Sequence, residues 1–321
     1  MANSFTNGYA TIFMKALDEL MVQESVTGWM EANAGQVQYS GGKTVKIPKM
    51  SMSGLGNYGR PNAGSGYPMG DVSLEYETRT MTQDRGRKLT VDAMDVDETN
   101  FIATISKVAS EFQRIHVVPE IDAYRLSALA TAAITADKSC EYGYTVAKAT
   151  ILDKVLAAIT ASNKAGFRGG PKMIHMTDDA YTALMSAAGD KLRSVTFSQG
   201  GVNFEVPSIN NNPIIVTDEE RMVSALTIKT DGWEKASSAI DINFMVVPRN
   251  VPIAISKQNK GKFFTQEEHQ DADAYIYDYR RYHDLWTLDN KVAGIAVNFK
   301  DAKPEGASGA SGASGASGAS A

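Results

Sequence analysis

Between residues 41 and 70 the chain carries eight glycines (Gly41, Gly42, Gly54, Gly56, Gly59, Gly64, Gly66 and Gly70) and three prolines (Pro48, Pro61 and Pro68). This density of breakers constrains the fold more than any other feature. Glycine costs backbone entropy and proline removes a hydrogen-bond donor, so neither a helix nor a long central strand is expected there. A structureless stretch of this length is uncommon inside a compact domain unless it has work to do. Directly after it, Val72, Leu74 and Tyr76 alternate with Ser73, Glu75 and Glu77, and the period of two runs on through Met81. Beyond Asp84-Arg85-Gly86-Arg87, which reads as a turn, the pattern resumes with Leu89 and Val91. The reading is a long hairpin on a glycine-rich base, projecting from the body as an arm.

Helical spacing flanks this arm on both sides. Residues 9 to 32 place Phe13, Leu17, Leu20 and Met21 on one stripe. Asp95 with Glu98 reads as a capping box, and Phe101, Ile105, Val108, Phe112 and Ile115 follow at spacings of four, three, four and three. That predicts one long amphipathic helix with these five residues in its core. On that register Phe112→Ala should cost about 3 to 5 kcal/mol. Pro119, Glu120 and Asp122 either open a second helix or kink the first, and the helical trend continues to residue 134.

The middle third alternates: a helix over roughly 146 to 164 with Ile151, Val155 and Ile159, a strand at Lys172 to Met176, a helix from Asp178 to Ala188 stopped by Gly189, and a strand near Ile214 to Val216. This is a mixed α/β module. The last third is strand-rich, with Ile242, Phe244 and Val246, then Tyr275, Tyr277 and Tyr279, then Val292 to Phe299. Residues 306 to 320 repeat Gly-Ala-Ser, a composition that has nothing to bury and is expected to be flexible coil.

Composition narrows the function. Hydrophobic residues make up 43% of 321, enough for a real core, and a formal charge of -5 lacks the basic field of a nucleic-acid-binding domain. Cys140 is the only cysteine, which suits a reducing compartment. The N-terminus lacks the charge and apolar run of a secretory signal, no stretch approaches a membrane span, and no Asn-x-Ser/Thr sequon occurs. A cytoplasmic, soluble protein is expected.

Candidate chemistry is thin. Gly54-Leu-Gly-Asn-Tyr-Gly59 matches the dinucleotide fingerprint by letter, but the mechanism needs a strand before it and a helix after it, and Arg60-Pro61 follows. Gly166 to Lys172 lacks the Gly-Lys-Ser/Thr of a phosphate loop, and a helix stop followed by a strand start explains its glycines better. His116, His175, His269 and His283 never fall at metal-ligand spacing. Glu267, Glu268, Asp271 and Asp273 around His269 lack the spaced oxygens of a calcium loop, and a solvated turn is the expected reading. Cys140 has no activating neighbours. The basic cluster of Arg79, Arg85, Arg87 and Lys88 is either a solvated edge or a charged contact with a neighbouring subunit. No catalytic, metal or cofactor-binding residue is assigned, and no cofactor is expected.

Four stretches in this order carry a resemblance: Val72-Ser-Leu-Glu-Tyr-Glu-Thr78 through Gln83-Asp-Arg-Gly-Arg87, Val91 through Asn100, Val118-Pro-Glu-Ile-Asp-Ala-Tyr-Arg125, and Tyr279 through Val292. Together they span most of residues 70 to 298, and the chain resembles the major capsid proteins of tailed bacteriophages with the Hong Kong 97-type fold. The resemblance implies an α+β chain: an N-arm over 1–35, an extended E-loop hairpin over 36–93, a P-domain with a long spine helix over 94–134, a mixed α/β A-domain over 135–250, return strands of the P-domain over 251–302, and the Gly-Ala-Ser tail over 303–321. The Gly-Ala-Ser tail lies outside the core of that family. The resemblance implies a non-enzymatic subunit of an icosahedral phage or prophage shell around double-stranded DNA, assembled in the host bacterial cytoplasm.

The implied partner is first the chain itself, in hexamers and pentamers. Phe13, Leu17, Tyr58, Arg60, Tyr67, Arg79, Arg85 and Arg87 are the candidate subunit-interface residues. A portal and a possible decoration protein are further expected partners, DNA only through non-specific contact, and no membrane. Some relatives begin with a long scaffold segment; here the E-loop begins within about forty residues, so a separate scaffolding protein is expected. Lys43, Lys46 and Lys49 stand where some relatives carry a cross-linking lysine, but nothing identifies a partner and no isopeptide bond is expected. The nearest rival is an encapsulin-type nanocompartment of the same fold, separable by gene neighbours. A nucleotide-dependent enzyme using residues 54–59 is a distant third.

Overall fold

A computed structural model describes residues 24–36, 38–39, 43–58, 66–94, 105–199, 202–265 and 273–303. In chain order, a 3-10 helix (Gly28–Gln36) precedes strands β1 (Gln38–Tyr39), β2 (Thr44–Met52), β3 (Val72–Thr80) and β4 (Gln83–Asp92). Helix α1 (Ile105–Phe112) continues through a π turn (Gln113–Val117) into α2 (Val118–Ala136). Strand β5 (Cys140–Glu141), α3 (Ile151–Lys164), β6 (Lys172–Met176), α4 (Asp178–Ala188), β7 (Arg193–Gln199), β8 (Val202–Ile209) and β9 (Asn212–Val216) follow. The chain closes with β10 (Leu226–Lys229), β11 (Gly232–Lys235), β12 (Ile242–Pro248), β13 (Pro252–Phe264), β14 (Ala274–Thr287) and β15 (Ala296–Phe299).

The main core is a seven-stranded mixed sheet in the order β5-β15-β12-β6-β9-β8-β7. One face packs Ile174, Phe244 and Val246 against Ile151 and Val155 of α3 and Leu184 of α4. The other packs Met173, Met245, Val247 and Val297 with Leu126, Leu129 and Ala133 of α2 and with Trp29 and Met30 of the 3-10 helix. Coverage on both sides is why all seven residues of β12 are buried rather than every second one. Local chemistry fixes the ends of α4: the Thr177 hydroxyl accepts from the Ala180 amide, and Gly189 takes a φ of 50° at the C-cap.

Five sequence expectations change. β3 does not pair with β4; it pairs antiparallel with β2, Val72 opposite Met52, while β4 joins β14 in the sheet β13-β14-β4. Asp84 to Arg87 is extended, not a turn, and Gly86 is there for close approach: a Cβ on it would lie 2.9 Å from the Tyr279 carbonyl oxygen. The breaker-rich stretch does hold a nine-residue strand, β2, with Pro48 inside it. β1 reaches only Val45 and Lys46, so at Pro48 the strand has β3 on one side and an open edge on the other, where proline is tolerated.

The spine register also changes. Ile115, expected in the core, is 47% exposed, while Ile105, Val108 and Phe112 are half-buried and Ala109 and Gln113 are buried. Bonding to i+5 in the π turn rotates the stripe, so the α-helical spacing that ends at Ile115 no longer describes the buried face. Half-burial lowers the expected cost of Phe112→Ala to about 2 kcal/mol. Finally, β15 lies in the seven-stranded sheet beside β12, not with the returning strands β13 and β14. Phe101, the capping box at Asp95 and Glu98, Phe13 and Leu17, the acidic cluster from Glu267 to Asp271, and the Gly-Ala-Ser tail lie outside the described residues.

Candidate assembly surfaces

Among the described residues, the β2–β3 ribbon is packed at one end and has no packing partner at the other. Val45 and Ile47 of β2 pack with Met81 against Ile253, Ile255, Tyr282 and Leu288. Beyond Pro48 the burial ends: Met52 is 67% exposed, Leu55 108%, Tyr67 87% and Met69 102%, with Val72, Leu74 and Tyr76 of β3 also exposed. Contiguous exposed apolar surface of this kind marks an interaction site. Tyr58 and Tyr67 meet edge to face with ring centroids 5.0 Å apart. Gly54 to Asn57, the fingerprint by letter, is exposed irregular chain after β2, and the described chain from Gly66 leads into β3 rather than into a helix.

The arginines of β3 and β4 are employed within the chain. Arg79 lies 3.2 Å from both Glu77 and Asp289. Arg85 pairs with Glu120 at 2.6 Å and donates to the carbonyls of Lys229 and Gly232 at 2.9 and 3.1 Å. Arg87 pairs with Asp231. Arg85 and Arg87 thus tie β4 to α2 and to the β10–β11 hairpin, and Arg79 ties β3 to Asp289. Arg60 lies outside the described residues.

A buried polar network, missed in the sequence, holds the N-terminal segment to the body. Asp122, fully buried, accepts from the Ser25 hydroxyl at 2.8 Å, from the Val26 and Thr27 amides at 3.0 and 3.2 Å and from the Thr27 hydroxyl, and Arg221 stands 3.4 Å away. Glu31 bridges the buried Arg125 and Arg281. Burial pushes the Glu31 carboxyl up, but the two guanidinium groups outweigh it and hold it below its ordinary value. The available signal was a pair of charges three apart, Asp122 and Arg125, the only charged residues between Ile121 and Leu129.

Other titratable groups read as structural. His175 is fully buried, its pKa pushed down to about 3 by desolvation, and its Nε2 accepts from the Trp29 indole at 3.3 Å. Burial likewise holds His283 neutral. Burial pushes the Cys140 thiol up to about 11, away from thiolate. Among the described residues no three His, Cys, Asp or Glu side chains converge as a metal site, and no helix is long and apolar enough to cross a membrane.

No protein-family model matches the chain, and no curated protein matches its sequence. Solved structures do match in fold. The capsid structure of the cyanophage P-SCSP1u shares 11% identity over 82% of this chain and 84% of its own, with a TM-score of 0.57. The mature capsid of bacteriophage PhiM1 shares 11% over 79% of this chain and 81% of its own, at 0.53. A chain from Mycobacterium phage Cain shares 13% over 80% and 85%, at 0.52. The mixed α/β fold is thus the Hong Kong 97-type fold of phage capsid structures.

Proposed function

We propose that the chain is the major structural subunit of an icosahedral shell, that of a tailed phage or prophage, and encloses double-stranded DNA. The observation that carries this reading is the ribbon: an ordered hairpin whose base is cored and whose outer half exposes Met52, Leu55, Tyr67, Met69 and Val72 makes sense only when a second surface covers it. On this reading the segments take capsid roles, with an N-arm up to about residue 35, an E-loop built on β2 and β3, a P-domain of α1, α2 and the β13-β14-β4 sheet, and an A-domain over 135–250 joined by β15. The partner is the same chain, repeated in pentamers and hexamers, and each contact is weak until closure multiplies it. Scaffold, portal and decoration proteins are heterologous partners, and the assembled protein resides in the virion.

The test is expression alone and with its neighbouring genes, followed by gradient sedimentation and nuclease treatment. Fast-sedimenting particles with nuclease-protected DNA, once packaging genes are supplied, support the reading. Particles that instead retain a co-expressed enzyme would make it a cellular compartment, and monomer under all salt and scaffold conditions would end the shell reading.

A further inference from the structure

Between the 3-10 helix, α2, β7 and β13 lies a cavity of about 690 Å³, within the roughly 300 to 1,000 Å³ of small-molecule sites. Its ionic lining is three arginines and one carboxylate: Arg125 from α2, Arg281 from β14 and Arg249 from the turn before β13, against Glu31. Glu31 does not balance them. Its Oε1 alone accepts from Arg125, from Arg281 at 2.9 Å and from Ser256 at 3.3 Å, so one negative charge is shared between two guanidinium groups. Asp122, the other carboxylate that acts on Arg125, does not line the cavity and is paired with Arg221 at 3.4 Å. Arg249 is exposed and has no ion pair among the described residues.

The wall also holds donors without acceptors. Arg125 is 1% exposed and Arg281 7%, and the Nε of each has no hydrogen-bond partner. Arg281 makes both its bonds, to Glu31 and to Ser256, from Nη2. Burial pushes Arg125 below its ordinary value, and the attraction of Glu31 does not offset burial and the repulsion of Arg281 together. A buried donor without an acceptor and a buried cation without its full counter-charge both cost stability, and an oxyanion in the cavity answers both. The excess of two cations in the lining selects among oxyanions. A carboxylate brings one charge and two oxygens, whereas the phosphoryl group of a monoester carries about −1.5 to −2 at neutral pH and three strong acceptor oxygens. Trp29, Val118 and Ile121 give the same cavity an apolar wall for an organic part. We propose that this cavity binds a phosphoryl group, free or as a monoester, held by Arg125, Arg281 and Arg249. The site stands whether or not the chain builds a shell. Because Gly28, Trp29 and Glu31 form one side of it, a bound ligand also fastens the 3-10 helix to α2 and β14 and stabilises the fold by mass action.

The experiment is calorimetric titration of the full chain with inorganic phosphate, phenyl phosphate and acetate, in chloride buffer at constant ionic strength. Both phosphoryl ligands should saturate one site per chain and raise the melting temperature, and acetate should do neither; the ratio of the two affinities tells free phosphate from a monoester as the preferred form. Arg249→Gln removes no ion pair, so it should leave the melting temperature in chloride unchanged while weakening both phosphoryl ligands about tenfold or more. Ser198→Trp, at an exposed position of the lining on β7, should block the cavity and abolish binding. Absence of saturation by either phosphoryl ligand, equal saturation by acetate, or binding undiminished in the two variants would overturn the site.

Discussion

At the scale of the residue, Asp122 is the most exposed to test because so many donors depend on it. Asp122→Ala removes the acceptor of two amides and two hydroxyls, leaving Arg221 with Asp218 alone, and should cost about 3 to 5 kcal/mol in denaturant unfolding. Amide exchange should quicken first near residues 25–36, and a cost near zero would show that the network does not hold this segment. His175 makes a pH prediction. Its folded pKa of about 3 lies below the ordinary 6.5, so the unfolded chain takes up a proton that the folded chain refuses. The associated stability is complete above pH 6.5 and is lost as pH falls towards 3, by at most about 1.4 kcal/mol per unit. His283 acts in the same direction. His175→Gln, which can still accept from Trp29, should flatten this acid limb, and an unchanged slope of stability against pH would contradict it.

At the scale of the element, the ribbon makes the cleanest separation between folding and assembly. Replacing Ser51 to Met69 by a short Gly-Ser bridge removes none of Val45, Ile47 or Met81, so the subunit should keep its circular dichroism and melting temperature. Lateral contacts should be lost and particles with them; an unfolded subunit would mean that the loop belongs to the core. The sequence made some elements plain and hid others for physical reasons. α4 and β6 were legible because Thr177, the two aspartates after it and Gly189 mark the helix ends, and because β6 is a short apolar run. β2 was hidden because Pro48 reads as a breaker unless the missing edge neighbour is known. Gly86 read as a turn because a glycine kept for close approach of Tyr279 looks the same in one dimension as a glycine kept for a positive φ. The π turn carries no sequence mark, so the displacement of Ile115 could not be foreseen. The intrachain partners of Arg85 and Arg87 were hidden because Glu120 and Asp231 come from distant parts of the chain.

At the scale of the whole molecule, the sheet is covered on both faces while the outer half of the β2–β3 ribbon is exposed, which on the proposed reading is the surface a second copy covers. The apolar outer half of β2 and β3 favours association by area, and on the proposed reading association becomes persistent once each copy both gives and receives a ribbon. The most direct test is electron cryo-microscopy of the purified protein after assembly. Closed icosahedral particles should appear, with the β2–β3 ribbon of each subunit lying on an adjacent subunit and Met52, Leu55 and Tyr67 buried in the contact. Particles in which the ribbon folds back on its own subunit, or a preparation that contains only discrete monomers under every condition, would contradict it.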